Sequence, residues 1–134
     1  MDQIITFRSA RFQPTPGELD DQSDEYINGG IFGRELSDYL VAELEKVGVD
    51  VTFRCAEDWG WYHQIKHDEP YKLGFGCQNY EGEDHLIQFI PKSSYVRRWF
   101  KKYHALPKIV LLKDQIMDIL NRADDIDNIK IEEA

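Results

Sequence analysis

Glu57-Asp58-Trp59-Gly60-Trp61 stands between two runs that alternate apolar and polar residues, and this constrains the fold more than any other stretch. Before it, Val49, Val51, Phe53 and Cys55 alternate with Asp50, Thr52 and Arg54. After it, Trp61, His63, Ile65 and His67 alternate with Tyr62, Gln64 and Lys66. A period of two is the mark of half-buried strands. The residues between them predict a three-residue loop, Asp58-Trp59-Gly60, closed by a bulge at Gly60. That register sets Glu57 opposite Trp61, Cys55 opposite His63, Phe53 opposite Ile65 and Val51 opposite His67. Arg54 and Thr52 then face water, Trp61 enters the core and Trp59 sits at the tip. A slip of one residue inverts both faces.

The chain of 134 residues is long enough to bury about two-thirds of its unfolded surface as one domain, spanning 1–134. Apolar residues at 42% and aromatics at 13% predict a folded globule. No apolar run approaches the about 20 residues of a membrane span, and no signal-peptide pattern opens the chain. The expected location is therefore cytoplasmic, with no membrane partner. The two cysteines lack a C-x-x-C spacing and are expected to stay reduced. A net charge of -9 argues against nucleic acid and fits either solubility alone or attraction to a partner with a basic surface.

Ile4 to Ala10 reads as a first strand. A long polar loop, about 13–28, carries Glu18, Asp20, Asp21, Asp24 and Glu25 and reads as solvated or partner-docking. Gly30 to Val47 reads as a helix, with Phe32, Leu36, Leu40, Leu44 and Val47 on one face and Gly48 as its stop. Tyr71, Leu73, Phe75 and Cys77 continue the meander, placing Phe75 beside His63 and Leu73 beside Ile65. Gly74 and Gly76 leave a shallow place on its outer face. His85 to Ile90 follows as a further strand. Ser93 or Ser94 is expected to cap a helix through about Tyr103. It carries Arg97, Arg98, Lys101 and Lys102 among Trp99, Phe100 and Tyr103. Pro107 opens a second helix with Ile109, Leu112, Ile116, Ile119 and Leu120 on one face. Ile126 to Glu132 reads as a last strand. The order β-α-β-β-β-β-α-α-β predicts an α+β fold: an antiparallel β-meander with helices packed on one face.

The stretch INGGIFGRELSDYLVAELEKVGVDVTFRCAEDWGW, followed by LGFGC and RRWFKK, resembles a family of small bacterial proteins sharing a G-[KR]-x-L…AEDWGW pattern. The similarity runs from about Tyr26 to Ile131. It implies a compact α+β bacterial domain in the cytosol and carries over no catalytic residue and no cofactor. In size, charge and build alone the chain is also similar to immunity proteins of toxin systems.

Cys55 opposite His63 is the arrangement that suggests a nucleophile and base. Both share the parity of Phe53, Ile65 and Phe75, which reads as core. Cys55, His63 and Cys77 lack the ligand-pair spacing of a metal site. Glu57 and Asp58 could act as paired carboxylates, but a turn role already explains Asp58. No phosphate loop or hydrolase motif occurs. The leading expectation is a non-enzymatic protein-binding domain without metal or cofactor, of immunity type, masking a basic toxin or effector. Its partner-binding residues are Glu57, Asp58, Trp59, Asp20, Asp21, Asp24 and Glu25, with packing of Trp59 over a sheet edge as the other expectation for that residue. The alternative is an enzyme or small-ligand binder with a pocket near His63, Cys55 and Glu57. The basic patch from Arg97 to Tyr103 is expected either to neutralise the domain's own carboxylates or to serve as a self-association face.

Overall fold

The computed structural model describes residues 3–27, 29 and 31–133, the side chains of Tyr80, Glu81 and Glu133 excepted. Its elements run β1 (Gln3–Arg8), α1 (Pro16–Leu19), α2 (Arg34–Lys46), β2 (Val51–Glu57), β3 (Gly60–Ile65), β4 (Leu73–Glu81) and β5 (Asp84–Ile90). Then follow β6 (Tyr95–Arg98), β7 (Lys101–His104), α3 (Leu106–Arg122) and β8 (Asp127–Glu133). Six strands form one antiparallel sheet in the order β2-β3-β4-β5-β1-β8, and β6 and β7 form a separate pair. The fold is α+β, with the helices on one side of the sheet.

The apolar stripes bury as their spacing requires except at the end of α2, where Val47 is exposed instead of joining the stripe. Leu36, Leu40 and Leu44 of α2 are buried, as are Ile109, Leu112, Ile116, Ile119 and Leu120 of α3. They cover the sheet face formed by Ile5, Phe7, Phe75, Cys77, Ile87 and Phe89. Along β5, His85, Ile87 and Phe89 are buried while Leu86, Gln88 and Ile90 turn to the open face. Gly48, at φ 84, ends the first long helix as expected. The final strand exists and pairs with β1. Among the described residues no helix is long and apolar enough to cross a membrane.

Three local expectations need correction. The β2–β3 hairpin has a two-residue turn, Asp58-Trp59, with Glu57 opposite Gly60. Cys55 therefore faces Tyr62, Arg54 faces His63 and Phe53 faces Gln64; an irregularity then brings Val51 opposite Ile65. Phe53 is 52% exposed, while Arg54, expected in water, turns toward α2. Gly60 serves a close approach instead of a loop bulge: a Cβ there would stand 2.4 Å from the Cys77 carbonyl oxygen.

Residues 95–104 form the β6–β7 hairpin, not a helix. Val96, Trp99, Phe100 and Tyr103 recur at helical spacing, which suggests a helix, but Val96 and Tyr103 instead pair across the strands and pack on the core edge, while Trp99 and Phe100 stand out at the turn. The acidic loop also holds a short helix, α1, begun by a Thr15–Glu18 capping box with Pro16 in its first turn. Asn28 and Gly30, where the loop was expected to end and the long helix to begin, lie outside the described residues. The helix starts at Arg34, and Phe32 instead bridges to Asn79. The observed order is β-α-α-β-β-β-β-β-β-α-β.

Candidate functional site

Antiparallel pairing sends the β2–β3 turn, the β4–β5 turn, the end of β1 and the start of β8 to one end of the sheet. That end collects carboxylates: Glu57 and Asp58 at the first turn, Glu83 and Asp84 at the second, and Asp124, Asp125 and Asp127 before and within β8. Arg8 pairs with Asp84 and Glu83, and Arg11 with Asp125. These exposed pairs offset part of the charge and add little stability.

The acidic loop is tied to the same end through Trp61, the second residue of β3. The Trp61 indole donates to the Glu18 carboxylate at 3.0 Å. Arg34 lies over the Trp61 ring, 5.2 Å from its centroid, and forms an ion pair with Glu25. Glu18 is itself 3% exposed and accepts from the backbone of Gly33 at 2.7 Å and Arg34 at 3.0 Å. It thus caps the start of α2, where a negative charge suits the helix dipole. Glu18 is structural, whereas Asp20, Asp21 and Asp24 are exposed and Glu25 is half-buried.

Glu57 and Asp58 are exposed, as a binding role requires. Trp59 is not a free anchor. It is half-buried and folds back over the open sheet face, its ring filling the space above Gly76. The shallow place left by the glycine is thus occupied by the chain's own tryptophan.

His63 is sealed, with no exposed surface. Its ring stacks on Phe75 at 4.1 Å between centroids. Nδ1 meets the Phe75 carbonyl at 3.1 Å, so it carries the proton and donates; Nε2 then accepts from the Ser37 hydroxyl at 2.6 Å. The Arg54 guanidinium donates to Ser37 Oγ at 3.0 Å and pairs with Asp38. Burial first, and Arg54 with it, lowers the His63 pKa to about 4. A hydroxyl so close to an imidazole has the form of a catalytic pair, but no substrate atom reaches it.

Cys55 lies on the other face of the sheet, donating to Glu57 at 3.3 Å, and burial raises its pKa. Cys77 is fully buried beside the Gly33 carbonyl, and burial pushes its thiol far up. Cys55, His63 and Glu57 therefore do not converge. A cleft of about 390 Å³ opens elsewhere, between Val49, Ile65, His67, Leu73, Lys108 and Leu112, and none of those three residues lines it. Among the described residues no group of three or more His, Cys, Asp and Glu could hold a metal ion.

The opposite end of the sheet carries the β6–β7 hairpin, which leaves the end of β5 through Pro91. Trp99 and Phe100 form its turn and are 90% and 100% exposed. Arg97 faces Lys102 and Arg98 faces Lys101. The molecule is thus polar in charge: carboxylates gather at one end and a basic aromatic hairpin projects from the other.

No protein-family model, no curated protein and no solved structure matches the chain.

Proposed function

We propose that this is a protein-binding domain whose acidic end receives a basic partner, in the manner of an immunity-type inhibitor that masks a toxin or effector. The observation that carries the reading is the gathering of exposed carboxylates at one end of the sheet: Glu57 and Asp58 on the turn, with Asp20, Asp21 and Asp24 on a loop tied to it through Trp61. Charge of one sign spread over a rigid end steers an oppositely charged partner and raises its association rate. Trp59 adds an aromatic edge on the neighbouring face rather than a protruding anchor.

The test is affinity capture from the cell of origin at low and high salt. The wild-type chain is compared with an Asp20→Lys/Asp21→Lys/Asp24→Lys variant. A basic protein retained at low salt, released by salt and lost with the variant is the expected result. Equal retention by the variant, or no retained protein, overturns the reading.

A further inference from the structure

Among the described residues the four cations of the β6–β7 hairpin have no ion-pair partner of opposite sign. None of the ion pairs among the described residues includes Arg97, Arg98, Lys101 or Lys102, although the chain has 25 acidic residues. Like charges also stand directly opposite one another, Arg97 with Lys102 and Arg98 with Lys101, an arrangement that disfavours the hairpin by itself. Lys101 and Lys102 rest on the rings of Tyr103 and Tyr95, which engages the cations without neutralising them.

The turn adds two further anomalies. Trp99 holds φ 58, a conformation that glycine or asparagine adopts at less cost. Its indole and the Phe100 ring nevertheless contact almost nothing, at 90% and 100% exposure. Among the described residues the two most exposed aromatics thus stand at the vertex of a dense basic segment.

Strand alternation puts Arg97 and Lys102 on one face of the hairpin, and Arg98 and Lys101 on the other. The charge therefore surrounds the vertex instead of lining one side. A nucleic-acid strand would use one face. A layer of anionic headgroups surrounds an inserted tip and uses both, while tryptophan and phenylalanine settle at the boundary between headgroups and acyl chains. We infer that the Arg97–Lys102 hairpin is a peripheral docking device for bilayers bearing anionic lipids.

The expectation of no membrane partner came from the lack of a spanning segment, and surface docking needs none. The remainder of the chain holds 12 Lys and Arg against 25 Asp and Glu, so it is repelled by such a surface. The vertex projects roughly 10 Å past the Val96–Tyr103 pair. That exceeds the Debye length of about 8 Å at physiological salt, so the tip can touch headgroups while the body stays screened. Docking in this way turns the opposite, acidic end away from the bilayer.

The experiment is cosedimentation of the full chain with vesicles of phosphatidylcholine alone and of phosphatidylcholine mixed with phosphatidylserine. Binding to the mixed vesicles only, weakened by salt, is expected. Trp99→Ser/Phe100→Ser should lower it by about tenfold or more. Arg98→Glu/Lys101→Glu should do the same, because each cation near such a surface is worth about fivefold in affinity. Both variants change exposed residues, and unchanged circular dichroism confirms that they fold. Inorganic phosphate at matched ionic strength should compete no better than chloride; better competition assigns a free phosphate site and overturns the inference. So does failure of the wild type to bind mixed vesicles, or undiminished binding by either variant. Retention of a single-stranded oligonucleotide, or a dimer mass lost with Trp99→Ser/Phe100→Ser, without vesicle binding, assigns the tip to another partner and overturns it as well. The inference is independent of the proposed function: Asp20→Lys/Asp21→Lys/Asp24→Lys abolishes capture of a basic partner but leaves the dependence on Trp99 and Phe100 intact.

Discussion

Trp59 lies directly over Gly76: a Cβ added to that glycine would stand 2.3 Å from Cη2 of the indole. The next outward glycine of the same strand, Gly74, meets backbone instead, its added Cβ falling 1.9 Å from the His63 carbonyl oxygen. The two glycines therefore differ in what must move. Gly76→Ala should displace the Trp59 ring and cost about 1 kcal/mol, because a side chain can swing aside. Gly74→Ala should cost about 3 kcal/mol or more, because the β3–β4 ladder must open. Urea unfolding separates them, and near-ultraviolet circular dichroism should report the freed indole in Gly76→Ala alone. Equal losses would count against this account.

The meander and both long helices were legible because each repeats a period over many residues. Leu36, Leu40 and Leu44 could only be one helix face, and Ile109, Leu112, Ile116 and Ile119 another. The pairing of Phe75 with His63 and of Leu73 with Ile65 also followed from alternation. The β2–β3 register did not, because Gly60 has a distant reason to be glycine, the Cys77 carbonyl across the sheet. The β6–β7 hairpin was hidden because its turn is Trp99-Phe100, with none of the residues that announce a turn. Glu18 was half legible. Thr15-Pro16-Gly17-Glu18 is a readable capping box, but the burial of its carboxylate depends on Trp61, 43 residues away.

That buried carboxylate carries a second prediction. Glu18 accepts from Thr15, Gly33, Arg34 and Trp61, joining α1, the start of α2 and β3. Glu18→Ala leaves buried donors unpaired and should cost about 3 kcal/mol or more. Glu18→Gln keeps the shape and the acceptor for one set of donors, but it loses the charge at the helix start and sets an NH2 against the donors on the other oxygen, for about 2 kcal/mol. Chemical denaturation followed by tryptophan emission measures both. A harmless Glu18→Ala would mean that water already satisfies these donors.

The two thiols should separate cleanly in a labelling experiment. Cys77 is fully buried and its thiolate strongly disfavoured, so it should react only when the chain unfolds. Cys55 is half-exposed, and partial burial followed by its bond to the Glu57 carboxylate raises its pKa. A disulfide reagent at mildly alkaline pH should modify one thiol per folded chain, more slowly than a free cysteine. Glu57→Gln should accelerate that reaction severalfold by removing the neighbouring charge. Two fast thiols in the native protein would contradict the burial of Cys77.

The sealed imidazole makes stability depend on pH. His63 has its pKa lowered from an ordinary 6.5 to about 4 by burial. Below pH 6.5 the unfolded chain takes up a proton that the folded chain refuses, so acid favours unfolding. The contribution is complete above about pH 6.5 and is lost progressively as pH falls through the window to about 4, for a total of about 3 kcal/mol. His85, also buried and lowered, acts with the same sign. Carboxylates titrate in the lower part of this range, so the difference between variants is the informative quantity. His63→Gln retains hydrogen-bonding atoms but cannot charge there. Its urea midpoint, whatever its value at neutral pH, should fall less steeply between pH 6.5 and 4 than that of the wild type. Parallel profiles for the two proteins would show that His63 takes up its proton in the folded state, and the sealed network with Ser37 and Phe75 would then have to open in acid.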